Sequence, residues 1–248
     1  MRHIVAFSGG AASAVVAKIV SDAGLAPTLL FHDTMTEPED NGRFREEVAN
    51  YLGLPITCKS DGRNIWELFK DEGMLGNGRN TMCSRILKQE KSLEYCKKNI
   101  PYTLYIGFTV EEWQRAQRTS ARYAKHEGIT VKFPLIEQRI TKEECLHRVQ
   151  NCWKIRLPGS YDVFEHANCI PCIKGKKAYW GLIYKYERAA WDKASSAEKE
   201  FGHTIFTEAG SLEDELTNCL RLADNYLKKK AANEKQESLF DFPCECST

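Results

Sequence analysis

Cysteine is the residue type in this chain with the most chemistry to offer, and its spacing gives that chemistry a place. Ten cysteines occur among 248 residues. In Asn168-Cys169-Ile170-Pro171-Cys172 two thiols in a Cys-x-x-Cys turn can grip one metal ion or cluster from the same side. A thioredoxin-like redox pair is the rival reading, but it expects a strand before the motif and a helix after it. A second station is Thr81-Met82-Cys83-Ser84-Arg85-Ile86-Leu87-Lys88. Here a cysteine opens a helix with Arg85 and Lys88 on the following turn. That electropositive setting is expected to lower the thiol pKa and favour thiolate. The same basic pair could hold a phosphate or sulfate. A single Cys-x-x-Cys is half a metal site, so the remaining thiolates would come from Cys83 and from Cys145 or Cys152. Cys145 is preferred, because it sits in a helix opened by the capping box Thr141-Lys142-Glu143-Glu144. Against this stands the plain alternative of unligated thiols behaving as small hydrophobes in a core.

The other chemical station is at the amino-terminal end. Ile4-Val5-Ala6-Phe7 runs into Ser8-Gly9-Gly10-Ala11-Ala12-Ser13, a strand, a glycine turn and an alanine-rich helix start. That order gathers backbone N–H groups and a positive helix end at one point, which is a phosphate-binding arrangement. Ser8 and Ser13 add hydroxyls, and Gly9 and Gly10 let a ligand approach the backbone. The Gly-Lys-Ser/Thr ending of the Walker loop is missing, which argues against an ordinary kinase or motor site. After the second expected strand come Asp33, Thr34, Thr36 and Glu37. Asp33 could orient a ribose, a water or a magnesium ion, and Thr34 could offer a hydroxyl. Helix capping by Thr36 explains part of the same stretch. Further on, Arg115 in Glu111-Glu112-Trp113-Gln114-Arg115 is chemically suited to reach a pyrophosphate, although a solvated helix face accounts for it as well.

These stations need a scaffold, and the apolar patterning supplies one. Residues 4–7, 28–32 and 103–107 read as strands, with a shorter one near Ile56; residues 11–23, 39–52, 64–71 and 84–99 read as helices. Alternation of this kind predicts an α/β fold with a doubly wound, mostly parallel sheet whose ligands sit at the carboxyl ends of the strands. After residue 130 the pattern becomes helical, with further helices expected near 176–200 and 211–230. The expected organisation is a nucleotide-binding α/β domain at 1–130, a helical cysteine-bearing region at 131–230 and a tail at 231–248. Composition is that of a globular protein, 42% hydrophobic and 28% charged. A net charge of +1 excludes a strong global field toward nucleic acid or membrane, so any such contact must be a local patch. Lys174, Lys176 and Lys177 beside Tyr179 and Trp180 would suit phosphate contact with base stacking. The early apolar segment is short and is broken by Ser8-Gly9-Gly10, which reads against a signal peptide. No apolar run approaches membrane-spanning length, and a cytoplasmic location is expected.

Taken in order, the motifs resemble the PP-loop ATP pyrophosphatases, and within them the PAPS reductase-like proteins of phages and mobile elements and their kin in DNA phosphorothioation. The loop Ser8-Gly9-Gly10-Ala11-Ala12-Ser13 is similar to SGGxxS, and Asp33-Thr34 with Thr36-Glu37-Pro38-Glu39 is similar to a DTGxxxPET segment. The run Pro134-Leu135-Ile136, Thr141 to Cys145 and Asn168 to Cys172 resembles the cysteine region. The resemblance implies binding of ATP or an adenylyl nucleotide, with magnesium, by Ser8, Gly9, Gly10, Ser13, Asp33, Thr34, Arg85, Lys88 and Arg115. It also implies a four-cysteine site of Cys83, Cys145, Cys169 and Cys172 holding a [4Fe–4S] cluster, with zinc as the alternative. The implied activity is sulfuration of a tRNA, a DNA or a metabolite: adenylation of the acceptor, then displacement of AMP by a sulfur nucleophile carried on the cluster or a cysteine, with a sulfur-donor protein as a possible partner. A PAPS- or adenylyl-sulfate-type reductase using Cys246 as catalytic thiol is the second reading, since Glu245-Cys246-Ser247 echoes a Glu-Cys-Gly tail. A non-catalytic nucleotide or nucleic-acid binder is the third. Two departures stand out. Ala11-Ala12 replace the family's Lys-Asp, and Met82 stands where the first cysteine of a Cys-Cys pair would fall.

Overall fold

In the computed structural model, which describes residues 1–237, five strands form one parallel sheet in the order β3-β2-β1-β4-β5. The strands are β1 (Arg2–Ala6), β2 (Thr28–Asp33), β3 (Ile56–Ser60), β4 (Tyr102–Ile106) and β5 (Ile129–Lys132). The register pairs Ile4 with Thr28 on one side and with Leu104 on the other. The order in which strands are added reverses at β1, so the carboxyl ends of β1 and β4 open a crevice of the kind that receives ligands. The doubly wound α/β expectation holds. The short strand β5 escaped the sequence reading because only Ile129 and Val131 alternate inward on it.

Helices α1 (Ala11–Asp22), α2 (Asp40–Leu52) and α3 (Ile65–Asp71) follow the first three strands. The small side chains Ala11, Ala14 and Ala17 let α1 lie against the sheet, with Val15, Val16 and Val20 filling the gaps. Asn64 starts α3: its side chain accepts from the N–H groups of Trp66 and Glu67, and Glu67 answers by accepting from the Asn64 N–H. The helix expected at 84–99 begins earlier, as α4 (Met82–Ser84), passes through a wide π-helical stretch at Arg85–Glu90, and ends as α5 (Lys91–Lys97).

Beyond β4 come α6 (Trp113–Tyr123), α7 (Pro134–Glu137), α8 (Lys142–His147), α9 (Ser160–Val163), α10 (Lys177–Tyr186), α11 (Arg188–Phe201) and α12 (Leu216–Glu237). Thr141 caps α8 as expected, its hydroxyl accepting from the Glu144 N–H at 3.2 Å. The single helix expected over 176–200 is two, divided at Glu187, whose backbone leaves helical geometry.

Core membership crosses residue 130. One core joins β1, α1 and α2 to Leu135, Ile140, Cys145, Val149, Ile155 and Leu157. A second joins Ile65, Leu68, Phe69, Met82 and Leu87 to Phe164, Trp180, Trp191, Leu212 and Cys219. The cysteine loop hangs on this second core and faces the carboxyl end of β2. No helix among the described residues is long and apolar enough to cross a membrane.

Candidate functional site

The glycine turn lies at the carboxyl end of β1. Gly9 has φ +76°, a left-handed conformation that glycine adopts without strain, and a Cβ there would lie 3.0 Å from Cγ of Arg45. Gly10 caps α1 with no side-chain bond of its own, and no acidic residue occupies the first turn. Ser13 donates to the Gly10 carbonyl at 2.8 Å, and Ser8 lies 3.4 Å from the Ser13 hydroxyl. Across the crevice, Gly107 follows β4 so tightly that a Cβ would sit 3.0 Å from the backbone of Ala12 and Ser13. The result is a narrow turn lined with N–H and O–H groups at a positive helix end, which suits an anion.

One side chain from far along the chain reaches this turn. Tyr161 of α9 places its Oη 3.4 Å from the Ala11 nitrogen, and a Cβ on Gly10 would be 3.2 Å from it. Arg45 and Tyr161 therefore flank the loop, and the sequence offered no signal for either, since neither belongs to a motif.

At the end of β2, Asp33 Oδ1 accepts from the Met35 N–H at 2.7 Å, which holds Met35 in a left-handed conformation at φ 55°. Thr34 is buried, and its Oγ1 lies 3.1 Å from Thr36 Oγ1 and 3.0 Å from Cys169 Sγ. The Glu37 side chain is buried as well. It accepts from Arg45 at 2.9 Å and from Lys88 at 3.4 Å, while the Arg45 guanidinium lies on the Phe31 ring. Burial pushes the Glu37 carboxyl up, and Lys88 and Arg45 pull against it. For Lys88, burial works against the charge, but the Cys169 and Glu37 charges outweigh it and raise the pKa. Lys88 thus stays a cation between a carboxylate and the thiols.

The Cys169–Cys172 loop is tied to both neighbours. Ile170 N–H donates to the Thr36 carbonyl at 2.9 Å, and Cys172 N–H donates to the Tyr179 hydroxyl at 2.7 Å. Tyr179 in turn donates to the Cys169 carbonyl at 3.3 Å. Cys83, Cys169 and Cys172 lie near enough to perturb one another. Burial, and then the like charges of Cys172 and Cys169, push Cys83 up to about 11. Burial also raises Cys172. The lowered thiol pKa expected for Cys83 is therefore overturned. Arg85 is exposed and paired with Glu90 at 2.5 Å, and Lys174, which donates to the Ser84 hydroxyl at 3.1 Å, pulls Cys83 down by less than burial raises it.

Cys145 does not join the other three. It is fully buried in the first core, and burial pushes it up to about 12; its charged neighbours are Arg148, Glu144, Glu111 and Glu143. Among the described residues no three cysteine, histidine or carboxylate side chains converge closely enough to hold a metal ion. Among the described residues the structure therefore shows no four-cysteine site for a [4Fe–4S] cluster or a zinc ion, with Cys145 lying in a separate core. Arg115 also stays apart, paired with Glu112 and lying 4.4 Å over the Phe108 ring. Cys246, with the rest of the expected tail, lies outside the described residues.

Beside these groups a cavity of about 350 Å³ opens between the segment after β2 and the cysteine loop, lined by Met35, Thr36, Glu37, Trp66, Ile170 and Lys193 among others. It adjoins Thr36 and the cysteine loop, and its Trp66 wall carries Lys193 at 5.5 Å from the ring. Such a space has the size and the flat aromatic wall to take a second small reactant.

No curated protein matches this chain. Solved structures with some likeness include the phosphate complex of phosphoadenylyl-sulfate (PAPS) reductase from Candida auris, at 14% identity and TM-score 0.46, covering 65% of this chain and 78% of that one. Another is a predicted subunit of tRNA methyltransferase from Methanocaldococcus jannaschii, at 20% identity and TM-score 0.40, covering 59% and 74%. A third is NMN synthetase from Francisella tularensis, at 16% identity and TM-score 0.43, covering 62% of each. The model of the phosphoadenosine phosphosulfate reductase domain matches residues 2–141, a span that runs from β1 to the residue capping α8 and so takes in the glycine turn and all five strands. The chain therefore belongs to the phosphoadenosine phosphosulfate reductase domain family, within the PP-loop group.

Proposed function

We propose that this protein is a nucleotide-dependent enzyme of sulfur chemistry. It binds ATP or an adenylyl nucleotide at Ser8, Gly9, Gly10 and Ser13, with Asp33 and Thr34 beside them, and works with a cysteine of the 169–172 loop. The observation that carries the reading is the 3.0 Å approach of Cys169 Sγ to Thr34 Oγ1, because Thr34 stands at the carboxyl end of β2, next to the strand that feeds the glycine turn. In this reading an acceptor oxygen attacks the α-phosphorus and pyrophosphate leaves, its charge met by the N–H groups of the turn. A persulfide on Cys169, loaded from a sulfur-donor protein, displaces AMP to leave a mixed disulfide with the acceptor. Attack by Cys172 on the Cys169 sulfur of that bond frees the thiolated acceptor and leaves a Cys169–Cys172 disulfide, which a thiol reductant resets. Lys88 holds positive charge beside the thiols throughout. The acceptor, a nucleic-acid base or a small metabolite, would enter by the cavity walled by Trp66.

Sulfonucleotide reduction is the second reading, favoured by the family model itself, with Cys246 as the attacking thiol. One set of assays separates the two. Protein purified without oxygen is analysed for iron, sulfide and zinc, loaded with inorganic polysulfide, and assayed for bound sulfane sulfur by cyanolysis. It is also assayed for sulfite release from PAPS. The first reading expects sulfane sulfur on wild type, reduced at least severalfold in Cys169→Ser. Sulfite release that survives Cys169→Ser and disappears in Cys246→Ser would replace it with the reductase.

A further inference from the structure

The first turn of α1 offers Ala11, Ala12 and Ser13 and no cation, so the glycine turn meets an anion with neutral donors alone unless another element supplies one. Arg45 of α2 flanks Gly9 but has its guanidinium paired with Glu37, and the other side chain brought to the turn is Tyr161 of α9. Its Oη accepts a long 3.4 Å bond from the Ala11 N–H and a second bond from the backbone N–H of Ala167. Both partners are donors. The hydroxyl proton is left with no acceptor among the described residues, beside a turn whose Gly10 carbonyl is already taken by Ser13. An oxygen of an anion is the partner such a set lacks.

The position of Tyr161 is fixed from two sides. A four-residue helix cannot hold itself, but the segment leading to it is clasped by α2. Asp40 accepts from the Gly159 N–H at 2.7 Å and from Arg43 at 2.6 Å, and Arg43 donates to the carbonyls of Arg156 and Leu157 at 3.1 Å each. From α12, Lys230 donates to the carbonyls of Tyr161 and Asp162 at 2.5 and 2.7 Å. Pre-placement of this kind lowers the ordering cost of binding.

We propose that Tyr161 is a phosphate-binding residue, its hydroxyl donating to a phosphate or pyrophosphate oxygen of a nucleoside polyphosphate seated at Ser8–Gly10. The proposal rests on the nucleotide reading above. Burial raises the phenol pKa and keeps the proton in place. The bond to Ala11 is long enough to yield its N–H to the same anion.

Titration calorimetry with inorganic pyrophosphate, ATP and adenosine tests this on wild type and Tyr161→Phe. A hydrogen bond to a charged oxygen predicts about tenfold weaker binding of pyrophosphate and ATP in the variant, with adenosine unchanged. Equal pyrophosphate affinity in the two proteins overturns the proposal and leaves the nucleotide reading standing. An equal loss for adenosine also overturns it, since a structural role would produce that. If wild type binds neither ATP nor pyrophosphate, both readings fall. Should Tyr161→Phe not fold, Asp40→Asn decides, because it loosens the clasp without touching the turn. The same split between pyrophosphate and adenosine is then expected, and its absence overturns the proposal.

Discussion

Asp40 does more work than its place at the start of α2 suggests. It receives the Gly159 N–H and the side chains of Arg43 and Arg156, and these hold its carboxyl at about 2, chiefly through the Arg43 hydrogen bond. A carboxylate with a lowered folded-state pKa adds stability above its unfolded value and loses it as the pH falls through the folded one. The stability gap between wild type and Asp40→Asn should therefore be full above about pH 4 and close between about pH 4 and 2. Because the group is partly solvated, the gap should be about 1 kcal/mol. Denaturant unfolding of both proteins across that range measures it, and a gap that widens on acidification would contradict the assignment. Lys88 and Glu37 follow a different logic. The Glu37 side chain is buried while Lys88 is partly open, so removing Lys88 leaves a buried carboxylate with Arg45 as its remaining cation.

At the scale of elements, close backbone approach recurs where one piece must fit another. Gly107 lets the end of β4 touch α1. Gly181 of α10 does the same for α12: a Cβ there would fall 2.1 Å from the Cys219 carbonyl oxygen. Neither backbone can yield without moving a helix, so Gly181→Ala should force α10 and α12 apart. The expected cost is about 2 kcal/mol or more, read as a lower melting temperature. The damage should be confined to the second core. Pyrophosphate binding at the glycine turn should persist in the folded fraction, whereas Gly107→Ala should weaken it, because its Cβ would press on Ala12 and Ser13.

For the whole molecule, the second core brings Cys83, Cys169 and Cys172 to the end of β2, while the first core keeps Cys145 for itself. Burial separates the thiols by reactivity. Cys58 is exposed on β3, Cys83 is pushed up to about 11 and Cys145 to about 12, and Cys96 and Cys219 are buried. Of the cysteines among the described residues, iodoacetamide at neutral pH should modify Cys58 ahead of Cys83, Cys145, Cys96 and Cys219, as read by peptide mass spectrometry. Modification of Cys83 as fast as Cys58 would show that its surroundings are more open and more cationic than the structure gives.

The strand, glycine turn and helix at Ile4–Ser13 were legible in the sequence because each depends on neighbours within a few residues. So were the capping box at Thr141, the Cys-x-x-Cys turn and the alternation that predicts a parallel sheet. Thiol grouping was legible only in part: Cys169 and Cys172 are three residues apart, but whether Cys83 or Cys145 lies near them depends on which core each helix enters. The expected roles of Arg85 and Arg115 depended on where flexible side chains find partners, and both found local carboxylates. Arg45 beneath Gly9, Lys88 against Glu37 and Tyr161 at Ala11 were decided by tertiary structure alone. The last contact spans 150 residues, and no local spacing can encode a meeting that only the packing of α9 against the first core brings about.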